Sequence, residues 1–246
     1  MSVAWTVPDW PAPRHVRALT TQRTGGVSAP PYQSLNLGDH VGDDAAAVAE
    51  NRRRLASAAS LPAPASWLRQ VHGSRVANLD AGTDHEPADA CITRRPGRVC
   101  AILAADCLPV LFTSESGSVV GAAHAGWRGL AAGVLRATLS AMSEPAATIL
   151  AWFGPAIAAE HYEVGGEVRD EFLRRDPEAA AAFTANSRGR YQADLAEIAR
   201  RQLAALGVTR LFGTAASTYG APAAYFSHRR DGTTGRQASL VWLEAP

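Results

Sequence analysis

The 246-residue chain contains no lysine; all 24 of its basic residues are arginine. That excludes a Schiff-base lysine and a Walker A lysine. Any bound anion must be held by arginine, histidine, helix N-termini or backbone N–H groups. Cysteine is scarce and odd in number (Cys91, Cys100 and Cys107), which excludes a disulfide framework and fits a reducing cytoplasm. Charge of one sign is lacking too. The net charge of +1 argues against a nucleic-acid binder that works by bulk charge. The most apolar stretch, 99–112, is interrupted by Asp106 and Pro109 and is too short to span a bilayer. Residues 1–10 carry no basic start followed by an apolar run, so no signal peptide is expected.

What remains is globular. The chain is 47% hydrophobic and 19% charged, far from disorder, and its length suffices to bury roughly 70–75% of the unfolded surface. Residues 1–246 read as a single domain, with monomer as the default state. Strands are expected at 17–21, 66–72, 75–79, 89–93, 99–104, 108–112, 118–124, 146–153, 209–213 and 238–243, from β-branched and apolar runs bounded by turns. Helices are expected at 45–59 behind an Asp43 or Asp44 cap, from Gly126 to about Met142, at 167–175, and from Asp194 to Leu206. The Arg52-Arg53-Arg54 triplet reads as a solvated helix face. Loose alternation with hairpin-like pairs suggests a layered α/β sandwich with a mixed sheet.

Three residues carry the chemistry. His15, His85 and His161 lie in loop-like contexts without partner spacing, and Cys91 and Cys100 lie inside apolar strands, where cysteine behaves as a small hydrophobe. Cys107 instead follows Asp106 at a break between two strands, and His124 stands where a strand gives way to a helix. With a turn at 114–117, paired positions sum to 231, which sets Cys107 opposite His124. His72 ends another apolar strand. Two imidazoles and a thiolate suit zinc with one open position, the catalytic rather than the structural pattern. The same pair also suits a thiolate nucleophile with His124 as its base, and spacing does not choose between them. Arg23 in Arg23-Thr24-Gly25-Gly26, Arg128 at the start of the helix after His124, and Arg229 in the 227–236 loop are candidate phosphate holders. Asn36 is a candidate for the base or ribose.

These pieces resemble a known family. They are Arg23-Thr24-Gly25-Gly26-Val27-Ser28, Ser34-Leu35-Asn36-Leu37-Gly38, Gln70-Val71-His72-Gly73, Ala105-Asp106-Cys107-Leu108-Pro109-Val110, His124-Ala125-Gly126-Trp127-Arg128-Gly129, Gly154-Pro155-Ala156-Ile157, and Arg229-Arg230-Asp231-Gly232 with Thr234-Gly235-Arg236. In this order they resemble the YfiH-like family. Its members were once called multicopper polyphenol oxidases or laccase-domain proteins, and are now described as purine nucleoside phosphorylases; bacterial members are also called peptidoglycan editing factors. The resemblance implies an α/β sandwich distantly like bacterial deamidating toxins, and zinc on His72, Cys107 and His124. It implies phosphorolysis of adenosine, inosine, guanosine and methylthioadenosine, with some adenosine deamination. One departure is Gly213-Thr214, where members often carry Cys-Thr. Copper chemistry is the weaker expectation, because the chain has seven histidines, no His-x-His pair, and Met1 and Met142 as its only methionines. Rival expectations are a cysteine amidase acting on peptidoglycan precursors and a non-catalytic binding protein.

Overall fold

The computed structural model describes residues 2–82, 87–213 and 216–245; His85 and Thr214 lie outside them. Two sheets stack at the centre. In the first, the strands run in the order Trp5–Thr6, Val16–Thr21, Gln237–Leu243, Val99–Ala104 and Ala65–Trp67, antiparallel except for the last pair. In the second, the order is Arg210–Phe212, Ile149–Phe153, Leu108–Ser114, Val120–Ala125, Ala90–Thr93 and Val76–Asn78, with parallel pairing only at the two edges. Both are therefore mixed. A small antiparallel sheet of Glu163–Val164, Tyr191–Ala193 and Phe183–Ala185 flanks them.

Three apolar layers follow from alternation along the strands. Cys100, Ile102, Leu111, Val120, Ala122 and Trp152 fill the space between the two sheets. Leu35, Leu37 and Leu55 lie with Val99, Ala101, Leu103 and Leu240 on the outer side of the first sheet. On the outer side of the second, Leu108, Val110 and Phe112 meet Leu130, Val134, Leu135 and Leu203. Strands covered on both faces read as unbroken apolar runs, which is why 99–104, 108–114 and 120–125 are buried throughout.

Helix Ala45–Ala58 starts at Asp44, whose carboxylate accepts from the N–H groups of Ala46 and Ala47, and its buried face is Val48, Asn51 and Leu55. Several expected elements are corrected. The strand expected at 66–72 spans only Ala65–Trp67. The helix expected through Met142 is two, Trp127–Ala132 and Val134–Met142, divided at Gly133 with φ 86°. The strand expected at 146–153 opens with a 3-10 turn and begins at Ile149. The arginine triplet is not uniformly solvated. Arg53 and Arg54 bond Glu50, but Arg52 lies over the Trp67 ring and donates twice to Leu37 O.

Asn51 joins helix to loop. Its Nδ2 donates to Ser28 Oγ, Ser34 O and Asn36 O, and its Oδ1 accepts from Val27 N–H. Replacing Asn51 with Ala strands these buried groups. Chemical denaturation should show a loss of about 2–4 kcal/mol; a loss under about 1 kcal/mol would mean that the loop holds without it.

Candidate functional site

His72, Cys107 and His124 converge at one end of the second sheet, their ligand atoms within 4.8 Å of one another. The register that brings them there differs from expectation. Pro109 is paired with His124 and Val110 with Ala123, because the turn sits one residue later than expected. Moving a turn by one residue moves the pairing by two, and a shift of two keeps each side chain on its own face. Cys107 therefore lies diagonal to His124. Asp106, at φ 94°, turns the backbone just before Cys107. His72 ends no strand; it sits in a loop at φ 60°, its ring edge-on to His124 with centroids 4.8 Å apart.

Asp89 holds this loop. It is fully buried and accepts from the backbone N–H groups of Val71, His72 and Gly73 at 3.0, 2.9 and 2.7 Å. It also bonds His124 Nδ1 at 2.9 Å. Burial pushes its pKa up, but the imidazole and the amides of Gly73 and Val71 outweigh this and hold it below the ordinary carboxylate range. With Nδ1 tied to a carboxylate, Nε2 is the nitrogen left to face Cys107.

The thiol and imidazole titrate as a pair. Burial would raise the Cys107 pKa, yet His124, in first place, and then His72 bring it down to about 6. Burial would lower that of His124, but the Cys107 charge and the Asp89 bond raise it to about 9. At neutral pH the pair is thiolate and imidazolium.

The residues fit a single divalent ion. Tetrahedral zinc sets its donors roughly 3.3–3.6 Å apart, which small side-chain rotations reach from here. Gly126, the N-cap of helix Trp127–Ala132, leaves the needed space. A Cβ there would stand 2.8 Å from Cys107 Sγ and 3.4 Å from His72 Cδ2. Among the described residues this is the one His/Cys/Asp/Glu cluster able to hold a metal.

Residues 17–244 match the family model described as multi-copper polyphenol oxidoreductase laccase. The chain is 50% identical over 242 residues to purine nucleoside phosphorylase YfiH of Escherichia coli, covering 96% of this chain and 98% of the relative. It belongs to the YfiH-like family. It is 51% identical over 242 residues to a purine nucleoside phosphorylase of Pseudomonas aeruginosa, covering 98% and 99% of the two chains. The crystal structure of Neisseria meningitidis protein NMB0706, at 46% identity, superposes with TM-score 0.94 over 98% of this chain and 99% of that one. YlmD from Geobacillus stearothermophilus, at 33% identity, gives 0.87 over 94% and 93%.

In this YfiH-like chain the expected anion holders divide. Arg128 and Arg229 are exposed. Arg128 lies over the ring of Trp127, and Arg229 over that of Tyr162. The charges of both, like those of Cys107 and Asp106, reach the Tyr162 hydroxyl, whose pKa is raised chiefly by burial. The helix behind Arg128 is a short six residues, and its terminus adds little. Arg23 is a loop tie instead. It donates to Gln33 O and Pro222 O, both at 3.0 Å, and its guanidinium lies over Phe226. Asn36 is fully buried and fully bonded: Nδ2 to Gly38 O and Asp43 Oδ2, Oδ1 from Gly38 N–H and Arg236 N–H. It has nothing left to offer a ligand. His161, without a partner by spacing, stacks on Tyr219 with centroids 4.3 Å apart. No described helix is long and apolar enough to cross a membrane.

Sequence reasoning passed over Asp89 and gave Asp106 no firm role. The acid Asp89 stands at the head of the apolar strand Ala90–Thr93, where a charge demands partners; that was the signal. Asp106 accepts from Thr218 Oγ1 at 2.6 Å and from Arg229 N–H at 2.7 Å, drawing two distant loops to the turn before Cys107.

The thiolate is testable directly. In metal-free protein, iodoacetamide should label Cys107 with a rate that holds at neutral pH and falls as pH drops through about 6, while buried Cys91 and Cys100 resist. A midpoint at about 8.5, the ordinary thiol value, would exclude the ion pair.

Proposed function

We propose that this chain is a zinc-dependent purine nucleoside phosphorylase. Carrying the reading is the set of three donors, which leaves one tetrahedral position open, in a chain about half identical to relatives named purine nucleoside phosphorylase. Two imidazoles and one thiolate suit zinc. The ion would supply a fixed positive charge and Lewis acidity at the base of the site.

The protein's own residues do the rest. Asp89 fixes the His124 ring, and through the amides of 71–73 it fixes the loop bearing His72. Arg128, in the first turn after Gly126, and Arg229, whose N–H bonds Asp106, put positive charge near the donors, which attracts phosphate. Tyr162 and Trp127 offer flat apolar surface for a purine. In phosphorolysis a phosphate oxygen bonds the sugar C1′ as the C1′–N9 bond breaks. The electron pair leaves with the base, which takes a proton, giving free purine and ribose 1-phosphate. Alignment of the two reactants and stabilisation of the charge that develops lower the barrier. The substrates we assign are adenosine, inosine, guanosine and methylthioadenosine, with adenosine deamination as a secondary activity. The deaminase signature His-x-Glu with Pro-Cys-x-x-Cys is absent, so deamination would use an unrelated arrangement.

A second reading has one observation in its favour. Asp89, His124 and Cys107 line up as acid, base and thiolate, the layout of a cysteine hydrolase. That supports a metal-independent amidase acting on peptidoglycan precursors.

One experiment separates them. Metal-quantified protein is given adenosine with and without phosphate, and adenine, inosine and ribose 1-phosphate are measured. Adenine should appear only with phosphate, and Cys107→Ala should lose metal and activity together. Full turnover by demetallated protein would refute the metal reading, and a covalent acyl adduct at Cys107 in that protein would favour the amidase. Asp89→Asn should weaken zinc binding about 10–100-fold in a chelator competition; unchanged affinity would mean that His124 needs no orienting carboxylate.

A further inference from the structure

We propose that Arg236 is the residue that grips the phosphate co-substrate. The assignment rests on the phosphorylase reading and names a side chain for its anionic reactant. Arg236 ends the glycine-rich loop and leads into strand Gln237–Leu243.

Its position is built from both sides. The backbone N–H donates to Asn36 Oδ1 at 2.9 Å, and the carbonyl accepts from Leu37 N–H at 3.1 Å. The aliphatic stem crosses Gly38 so closely that a Cβ there would fall 2.8 Å from Arg236 Cγ. At Gly235 a Cβ would fall 2.7 Å from the Phe226 ring, so the loop is pressed down at this point. The fully bonded Asn36 thus gains a purpose, that of a clamp on Arg236.

The head group is left with capacity. Only Nη1 has bonds, to Thr234 O and Gly235 O at 2.9 and 3.0 Å. Among the described residues Nε and Nη2 have no partner, and no carboxylate forms an ion pair with the group. Other loop-binding arginines differ: Arg52 meets Asp39 at 3.2 Å, Arg230 meets Asp231 at 2.7 Å, and Arg23 lies 4.0 Å from Asp231. Gln237 pairs with Ala104, which sets Arg236 beside the 105–107 turn that carries Cys107; burial lowers the Arg236 pKa, and the charges of Cys107, Asp106 and Tyr32 oppose this. Asp106 is already bonded through both oxygens. A second observation lies beside it. Among the described residues the Thr234 hydroxyl, on a residue 1% exposed, is buried without a partner.

A partly desolvated guanidinium without a counter-ion is unfavourable until an anion arrives. Its planar fork matches two oxygens of a tetrahedral oxyanion. A purine nucleoside is neutral, so phosphate is the reactant this cation suits.

The test uses metal-loaded protein with inorganic phosphate and adenosine. Arg236→Met keeps the stem over Gly38 and removes the charge. It should raise the KM for phosphate at least about tenfold and leave that for adenosine within about twofold. A phosphate KM within about twofold of wild type, or an equal rise for both substrates, would overturn the assignment. If Arg236→Met fails to fold, Arg236→Lys carries the same test with an expected rise of about threefold or more. If wild type splits no nucleoside, the phosphorylase reading fails, and calorimetric titration with phosphate judges Arg236 alone. Binding lost in Arg236→Met supports it; equal binding by both proteins, or none by either, refutes it.

Discussion

The site depends on one buried carboxylate. Asp89 is charged, enclosed, and bonded to three consecutive amides and an imidazole. A carboxylate taken out of water is strongly destabilising unless its oxygens are bonded. These four bonds meet that need, and in doing so they fix two otherwise independent pieces of chain. The 71–73 loop has no strand to hold it, and His72 adopts a left-handed backbone there that β-carbon sterics disfavour. Three donated N–H groups stabilise that conformation. The same acid binds His124 Nδ1 and so leaves Nε2 toward Cys107. Geometry and electronics of the candidate metal donors thus have a common origin.

Most of the scaffold was legible because strand periodicity and turn residues are local. The run 99–104 and the Asp44-capped helix follow from patterns a few residues long. The Cys107–His124 approach survived an error in the turn because strand sidedness has period two, so a misplaced four-residue turn changes the partner and not the face. His72 joins the cluster for a reason other than the one its spacing suggests: it is no strand end but a loop residue held by Asp89. The chemistry of Asp89 was not legible, since its partners lie 16 to 35 residues away and no local pattern records them. The split of helix 126–142 was signalled by Gly133, but helical spacing on either side masked it.

Arginine shows where composition misleads. With no lysine in the chain, Arg23, Arg128 and Arg229 read as the anion holders, yet an arginine beside an irregular loop has a second use. Many instead tie loops by donating to carbonyls. Arg23 bridges Gln33 and Pro222, Arg52 holds Leu37, and Arg230 holds Thr218, Tyr219 and Tyr225. A guanidinium has five N–H donors in a fixed fork, well suited to bracing irregular backbone whose carbonyls lack ladder partners. What separates a ligand-binding arginine from such a brace is how many donors remain and whether a carboxylate already neutralises it. Neither can be seen in sequence.

The family's older description and its newer names can be weighed on donor chemistry. A multicopper centre requires many histidines, whereas the described residues provide donors for a single ion, and Met142 is buried against Gly121 in the core, where it packs as a hydrophobe. Within the one-ion site, the choice between a metal and a bare nucleophile turns on His72. A thiolate–imidazole–carboxylate relay is complete with Cys107, His124 and Asp89, and the second imidazole adds only a further bond that helps to hold Cys107 as thiolate. Yet His72 is held within ligand distance by three backbone bonds and an unfavourable dihedral, and Gly126 leaves open the space beside it. Structure that expensive to maintain around a side chain that the relay does not require favours the reading in which both rings and the sulfur act together on one cation.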